Sequence, residues 1–233
     1  MRPSLTLATT VLMGGLLSVG AQAGPIALVN PGFDVDSTTD FGIGGVTGWD
    51  ANPTEYGYWN TTVAPGTSQA LAPYSLPNVL FISTIPRVGG GKIDGYASQT
   101  TAVAIVPGAT YTFSIYAAKR LDMIQPVAFV LQLFDGTGNA FAAQANAASG
   151  LSSSTWTKYT VSGVAPLTAT GTIGVRIALN STGMVLPGGN QWVNKFQVLF
   201  DNASLAGPDV PEPLSLIFVG EGLAILGLLR RRR

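Results

Sequence analysis

Short runs in which apolar and polar side chains alternate recur through the middle of the chain. The alternation is clearest at 111–117 and at 172–179, where every second residue is apolar. Because successive side chains of a β-strand point to opposite faces, this period of two predicts strands with one face in a core. A denser apolar run at 127–134 ends at the turn formed by Asp135 and Gly136, which predicts a more deeply buried strand.

Further strands are predicted at 97–105, 156–164 and 195–205. No segment of the central region carries a 3.6-residue apolar period over three turns, and many of the 29 glycines and 15 prolines fall between the short runs. Glycine and proline at such positions are typical of the turns that join strands. The pattern therefore predicts an all-β domain over residues 24–209, built as a jelly-roll β-sandwich.

The composition excludes several kinds of functional site. The 233 residues include no cysteine and no histidine, which excludes disulfides, Cys/His zinc sites and Ser-His-Asp or Cys-His nucleophiles. Only 10% of the residues are charged, and the central region carries seven basic and ten acidic side chains. A weakly acidic domain without a basic cluster argues against a nucleic-acid partner.

The N-terminal residues have the features of a targeting segment. Arg2 precedes an apolar run at 5–19, and the small residues Ala21 and Ala23 follow it. A positive start, an apolar run and a small-residue cleavage site are typical of a secretory signal peptide. We therefore predict a signal helix over residues 1–23, recognised by the Sec export machinery and cleaved after Ala23. The alternative is a buried N-terminal helix.

The C-terminal residues form a second predicted targeting segment. An apolar stretch at 214–229 lies between the motif Val210, Pro211, Glu212, Pro213 and the terminal cluster Arg230, Arg231, Arg232, Arg233. As a helix the stretch is about 24 Å long, which is shorter than a bilayer core of about 30 Å, and Glu221 lies near its middle. These features predict a transmembrane helix that acts as a transient stop and keeps the arginines in the cytoplasm.

The order of these three C-terminal elements resembles the PEP-CTERM protein-sorting signal, over residues 210–233. The resemblance implies export by a Gram-negative bacterium, processing at the Pro-Glu-Pro motif by the membrane protease-transpeptidase exosortase, and association with exopolysaccharide or biofilm matrix. The implied location is an inner-membrane intermediate, followed by the periplasm, the outer surface or the extracellular matrix. Glu221 departs from the usual uncharged segment, and an ordinary C-terminal tail anchor is the alternative.

The central region resembles galactose-binding-like jelly-roll carbohydrate-binding modules. It opens with LVNPGFD at 28–34 and closes with FDNASL at 200–205, with GYASQ at 95–99 between them. Modules of this family often begin with an Asn-Gly-Phe-Glu-type motif and end in Asp-Asn-Val-Ser-Leu. In this chain Pro31 is an insertion in the opening motif, and Asp34 stands where glutamate is commoner.

The same resemblance implies a structural calcium ion where the first and last strands meet. It assigns ligand roles to Asp34 in the opening motif and to Asp201 in the closing motif. Calcium binds about six to eight oxygen atoms, which carboxylates and backbone carbonyls supply. Asp36 and Asp40 lie close to Asp34 in the sequence and could add negative charge. The alternative is that Asp34 and Asp201 only accept hydrogen bonds from turns and strand ends.

Carbohydrate binding needs aromatic faces that stack on sugar rings, together with polar groups for the hydroxyls. The candidate platform consists of aromatic residues in loop-like segments rich in glycine and proline: Tyr56, Tyr58, Trp59, Tyr74 and Trp192. Aromatic residues in such segments can instead clamp a loop to the sandwich, and Trp49 is expected in the core.

No acidic pair and no glycine-rich loop of the central region forms a recognisable catalytic or phosphate-binding motif. The sequence therefore predicts a non-catalytic exported surface or matrix protein, whose domain binds polysaccharide and whose sole cofactor is structural calcium. A structural or adhesive surface protein with no sugar site is the alternative, and a polysaccharide-active enzyme is a third hypothesis. The identity of the ligand, the final attachment and the oligomeric state stay open at this point.

Overall fold

Two antiparallel β-sheets make up the described part of the chain. The computed structural model describes residues 23–36, 41–43, 45–52, 56–59, 73–75, 77–86, 92–121, 123–185 and 196–208. The larger sheet contains β1 (Ala23–Ile26), β2 (Phe41–Ile43), β4 (Tyr56–Trp59), β5 (Val79–Pro86), β6 (Lys92–Asp94), β8 (Thr110–Ala118), β11 (Thr157–Val164) and β13 (Phe196–Pro208). The smaller sheet contains β3 (Asp50–Asn52), β7 (Tyr96–Ala104), β9 (Ala128–Phe134), β10 (Ala140–Ala147) and β12 (Thr172–Asn180).

The prediction of an all-β sandwich is confirmed. The alternating runs at 111–117 and 172–179 lie in β8 and β12. The dense apolar run at 127–134 contains β9. Within the described ranges, the only helical element is the short 3₁₀ turn Ala148–Gly150. Valine, isoleucine and aromatic residues favour extended backbone because their side chains pack well on a pleated surface.

The predicted terminal helices gain no support from the structure. The signal helix over 1–23 and the transmembrane helix over 214–229 fall outside the described residues, except that Ala23 begins β1 instead of ending a helix. Among the residues that are described, no helix has the length and apolar character needed to cross a lipid bilayer.

The last strand organises the larger sheet, in which the order of strands is β11-β8-β13-β5-β4-β2. β13 pairs with β8 on one side and β5 on the other, and its far end also pairs with β1, with Ala23 opposite Pro208. The smaller sheet has the order β10-β9-β12-β7-β3. The first and last described residues therefore lie side by side at one edge of the sandwich.

The core lies between the two sheets and is rich in aromatic rings. Phe129 from the smaller sheet packs edge to face against Tyr159 and Phe200 of the larger sheet, with ring centroids 4.9 Å and 5.4 Å away. Phe129 and Phe200 are both fully buried. Edge-to-face contacts of this kind add to the free energy of apolar burial and fix how the two sheets face each other.

A second, smaller apolar cluster lies on the opposite face of the larger sheet. Val198 and Phe200 of β13 point into the core, so the strand pleat turns Leu199 and Asp201 to the outer face. There Leu199 packs with Val79, Phe81 and the partly buried Trp156. We call this surface the outer face of the larger sheet.

We predict that Phe129→Ala lowers the free energy of unfolding by about 3–5 kcal/mol, because it removes a fully buried ring and leaves a cavity. Equilibrium unfolding in urea measures the change. The matched control is Leu167→Ala, since Leu167 is 84% exposed and its truncation should change stability by about 0.5 kcal/mol or less. Equal losses in the two variants would contradict the described core.

Candidate functional site

A break in the last strand creates the candidate site. β13 pairs regularly with β8 as far as Asp201, which lies opposite Tyr116, and the pairing then shifts before Ser204. Asn202 lies inside this bulge with a left-handed φ of 48°. The freed amide of Ala203 donates a 2.8 Å hydrogen bond to the carbonyl of Pro31. The bulge therefore ties the closing motif directly to the opening turn.

The opening turn is rigid because its aromatic residue is an anchor. Phe33 is fully buried and packs against the ring of Trp49, with centroids 5.3 Å apart. The indole Nε1 of Trp49 donates to the carbonyl of Asn30 at 3.3 Å. Asn30 and Phe33 both have left-handed φ values, 47° and 61°, which bend the chain tightly. Trp49 thus lies in the core, as its sequence context predicts.

Asp36 is used to hold this turn together. Its carboxylate accepts hydrogen bonds from the side-chain amide of Asn30 at 2.8 Å and from the hydroxyl of Thr47 at 2.7 Å. The side-chain amide of Asn78 donates to the carbonyls of Phe33 and Asp36, both at 3.3 Å. The turn that carries Asp34 is consequently held by hydrogen bonds that involve Asn30, Thr47 and Asn78. Asp40, the other nearby acid, lies outside the described residues.

Asp34 and Asp201 come together around one serine. Ser75 donates from its backbone amide to Asp201 Oδ2 at 2.9 Å and from its hydroxyl to Asp201 Oδ1 at 2.7 Å. The backbone amide of Asn78 donates to Asp34 Oδ1 at 3.2 Å. Gly32 makes this approach possible, because a Cβ at that position would lie 2.5 Å from Asp34 Oδ2 and 2.7 Å from the Ser75 hydroxyl.

Burial makes both carboxyl groups hold their protons more tightly. Burial raises the pKa of Asp201 to about 6, although hydrogen bonds from Ser75 and Asn202 lower it, and the neighbouring charge of Asp34 raises it further. The pKa of Asp34 is also raised by burial, against hydrogen bonds from Asn78 and Ser75. Two acids that share one hydroxyl in a low-dielectric setting are poorly able to ionise together.

The expected calcium site meets the requirements of the ion only in part. Two carboxylates converge as the resemblance implies, and the amide oxygen of Asn78 is buried beside them without a hydrogen-bond partner. Oxygen ligands of this kind suit calcium. However, the described residues contain no group of three or more acidic side chains around a common point, and both oxygens of Asp201 already accept hydrogen bonds.

An aromatic pair adjoins the acids. The rings of Tyr74 and Tyr116 stack with centroids 3.8 Å apart and planes inclined by 19°, and the Tyr74 hydroxyl donates to that of Tyr116 at 3.0 Å. This hydrogen bond is the largest cause of a raised pKa at Tyr74. Tyr116 lies between Asp201 on β13 and Lys158 on β11. Tyr74 is 48% exposed, so the pair is open to a ligand.

The acids and the aromatic pair continue into the apolar part of the outer face. Val79, Phe81 and Leu199 are buried there, although they face away from the smaller sheet. The outer face of the larger sheet thus combines buried carboxyl groups, an accessible tyrosine pair and an apolar surface that is shielded from water. In this arrangement a carboxyl group can donate a proton, and the exposed Tyr74 ring can contact an aromatic or apolar molecule.

Of the residues predicted for the sugar platform, the structure describes the side chains of Tyr56, Tyr58 and Tyr74. Tyr56 and Tyr58 are partly buried against the core, and the Tyr56 hydroxyl accepts a bond from the amide of Gly45 at 3.2 Å. Tyr74 instead stacks on Tyr116. The side chain of Trp59, Trp192, the sorting motif Val210–Pro213 and the terminal Arg230–Arg233 lie outside the described residues.

Three residues of the site were missed by reasoning from the sequence. Tyr116 could have been found, because it is the polar-facing aromatic residue in the alternating run at 111–117. Ser75 and Asn78 carry no sequence signal, since their importance arises from the fold that brings them to Asp34 and Asp201.

Comparison with protein families gives one match over most of the chain. The family model HpiC1-like, described as HpiC1 cyclase, matches residues 24–206. No curated protein sequence matches the chain.

Solved structures show similar folds. The Stig cyclase Fisc from Fischerella sp. TAU, in complex with (3Z)-3-(1-methyl-2-pyrrolidinylidene)-3H-indole, is 20% identical with a TM-score of 0.62, covering 80% of this chain and 99% of that one. A cyclase from Fischerella sp. TAU in complex with 4-(1H-indol-3-yl)butan-2-one is 20% identical with a TM-score of 0.61, covering 80% and 98%. The arabinose-bound α-L-arabinofuranosidase MgGH51 is 13% identical with a TM-score of 0.53, covering 78% of this chain and 26% of that one.

The prediction of a non-catalytic protein is wrong. A family model built on a cyclase matches the whole opening-to-closing region, and cyclases are enzymes. The expectation of a biofilm-associated, carbohydrate-binding matrix protein is corrected by the same match, as is its structural or adhesive alternative. The absence of histidine and of a known catalytic motif therefore does not exclude catalysis in this chain.

We predict that the free energy of unfolding falls as the pH is raised from about 4 to about 6. Asp201 has a folded pKa of about 6 against an ordinary value of 3.8, so in this window the folded state holds more protons than the unfolded state. Asp201→Asn should remove most of this dependence while keeping the shape of the side chain. Urea unfolding of chelator-treated protein at several pH values measures it, and an unchanged slope in the variant would contradict the assignment.

Proposed function

Because the chain belongs to the HpiC1-like cyclase family, we propose that it is an enzyme that closes a ring in an apolar substrate carrying an indole-like aromatic group. The match of the family model over residues 24–206 is the observation that carries this proposal. The two-sheet architecture also supports the jelly-roll class inferred from the sequence, since both sheets are antiparallel and share one aromatic core.

The aromatic part of the proposed substrate is supported by two lines of reasoning. Both Fischerella cyclases were solved with indole compounds, although at 20% identity they establish only a common fold. Independently, Tyr74 presents an exposed ring that is already stacked on Tyr116. A flat aromatic ligand gains most when it stacks with an offset on such a preorganised ring.

In this proposal Asp201 supplies the proton that starts ring closure. The chain has no histidine, so a carboxylic acid whose pKa is raised by burial to about 6 is the appropriate general acid. Asp201 is fully buried, whereas Ser75 is partly exposed and its hydroxyl lies 2.7 Å from Asp201 Oδ1. When Asp201 is protonated, this hydrogen bond reverses: the carboxyl O–H donates to the Ser75 oxygen, and the Ser75 hydroxyl passes its own proton to the substrate.

The chemistry balances without a co-substrate. Protonation of a carbon–carbon double bond leaves a carbocation, the aromatic ring attacks it to form the new carbon–carbon bond, and the ring then returns a proton to the Asp201 carboxylate. The net reaction is an isomerisation. The buried side chains of Val79, Phe81 and Leu199 help by excluding water, which would otherwise capture the carbocation.

We predict that the enzyme converts an indole bearing an alkenyl side chain into a product of the same mass with one more ring, detected by liquid chromatography, mass spectrometry and NMR. Asp201→Asn should slow turnover by about 100- to 10,000-fold because it removes the general acid. Ser75→Ala should also slow it, since the proton route is interrupted. Asp50→Asn, on the smaller sheet, is the control and should keep full activity. Full activity of Asp201→Asn would exclude this acid.

Calcium is a second candidate role for the same pair of acids, and the unpartnered amide oxygen of Asn78 favours it. Asp34, Asp201 and Asn78 would hold the ion, which would fasten the opening turn to β13. A calcium ligand cannot also be the proton donor, because the ion stabilises the ionised carboxylate. The two roles of Asp201 therefore exclude each other.

If calcium is bound, the melting temperature of the wild-type protein should fall when a chelator is added, because a ligand of the folded state alone stabilises it. The Asp34→Asn variant should show no such fall. Differential scanning calorimetry provides the measurement. Equal melting temperatures with chelator and with added calcium would exclude the metal and leave Asp201 as the acid.

We propose further that the chain is exported through the Sec machinery and is a substrate of exosortase. The signal-like residues 1–23 and the ordered Pro-Glu-Pro, apolar and arginine elements of 210–233 support this. The inner membrane is then a transient partner, and the periplasm or the outer surface is the final location.

Export predicts that protein isolated from its natural host lacks both the first 23 residues and the terminal arginines. Intact-mass spectrometry of the envelope and culture fractions gives the answer directly. Glu212→Ala should block the second cut and leave a heavier, membrane-retained form. A natural product that keeps Arg230–Arg233 would exclude processing by exosortase.

A further inference from the structure

A cation lies between two aromatic rings on the side of the molecule opposite Asp201. Arg176 is on β12, the central strand of the smaller sheet, and alternation turns it away from the core. Its guanidinium carbon lies 4.9 Å from the centroid of the Tyr96 ring and 5.2 Å from that of Phe134. Both distances are within the range of a cation–π interaction.

The strand register explains this arrangement. Tyr96 pairs with Ala178 on one side of Arg176, and Phe134 pairs with Gly174 on the other, so the rings approach from opposite ends. Gly174 makes room for Phe134, because a Cβ there would lie 2.3 Å from two carbons of the ring. The guanidinium is therefore held in place by packing on both sides.

Arg176 lacks an acidic counterpart in the part of the chain that is described. Arg176 pairs with Ser98 on β7, and Ser98 pairs with Asp50 on β3. Asp50, the nearest acid in this row of paired residues, is therefore two strands from Arg176, or about 10 Å between backbones at the usual strand spacing. Its Nε atom is buried and makes no hydrogen bond. Because Nε has no solvent access, the two Nη groups are the donors that a ligand of Arg176 can reach.

The chemistry of the group defines what it can bind. A guanidinium has five donors and no acceptor, and its planar edge matches the two oxygens of a carboxylate. Gln132 and Ser98 lie directly opposite Arg176 on the two neighbouring strands and can add hydrogen bonds. The flanking rings favour a ligand whose carboxylate is attached to an apolar or aromatic body.

We propose that Arg176, with Tyr96 and Phe134 on either side, binds the carboxylate of an aromatic acid on the outer face of the smaller sheet. This site is on the other sheet from Asp201, so its ligand is a molecule other than the substrate. The enzyme thus has a second binding site, and the proposal does not depend on the proposed reaction.

Benzoate serves as the probe, and benzamide is its neutral counterpart. Titration of the full chain, followed by ligand-observed NMR, should show binding of benzoate and at least about ten-fold weaker binding of benzamide. Arg176→Gln should weaken benzoate binding by a similar factor. Lys119→Gln, which removes one positive charge elsewhere, is the matched control and should bind benzoate as the wild type does.

Arg176→Lys tests the proposal if Arg176→Gln fails to fold. It keeps the charge but loses the planar edge, so we expect weaker benzoate binding with an unchanged circular dichroism spectrum. Equal binding by wild type and Arg176→Lys would overturn the role of the guanidinium edge. Absence of benzoate binding to the wild type, or equal binding of benzoate and benzamide, would overturn the site itself.

Discussion

The hydrogen bond from the amide of Ala203 to the carbonyl of Pro31 joins the beginning of the fold to its end. It exists only because β13 leaves its ladder at Asn202, where a left-handed residue frees one amide from the sheet. This junction adds to the hydrogen bonds from Ser75 and Asn78 that hold Asp201 and Asp34 in the site. The bulge in β13 therefore brings the strand that carries Asp201 against the turn that carries Asp34.

The inward side chains of β13 build the core, and Asp201 on its outer face belongs to the candidate site. Phe200 points inward and fills the aromatic core, whereas its neighbour Asp201 points outward into a setting that opposes ionisation. Burying a carboxyl group costs stability, and the core packing on the other side of the same strand offsets that cost. The two-sheet sandwich is thus compatible with either a binding protein or an enzyme, and the side chains of the site distinguish them.

The sequence predicts the architecture better than the chemistry, for physical reasons. The strong alternation of β8 and β12 makes those strands visible, but β10 is rich in alanine and lacks the branched residues that mark a strand. The meeting of Asp34 with Asp201 followed from the resemblance of the two motifs. Ser75 and the stacking of Tyr74 on Tyr116 could not be foreseen, because long-range contacts bring them together. Catalysis is not predicted because the sequence carries no histidine and no recognisable catalytic motif.

The pairing of Ala23 with Pro208 has a mechanical consequence. β1 and β13 run antiparallel, so the start of β1 at Ala23 lies next to the end of β13 at Pro208. A force that pulls these two ends apart acts perpendicular to the strands. Load then falls on one hydrogen bond at a time, and the pair opens like a zipper instead of resisting in shear. A tether at either terminus would peel away β1 first, while the bulge at Asn202 and the acids beside it stay intact.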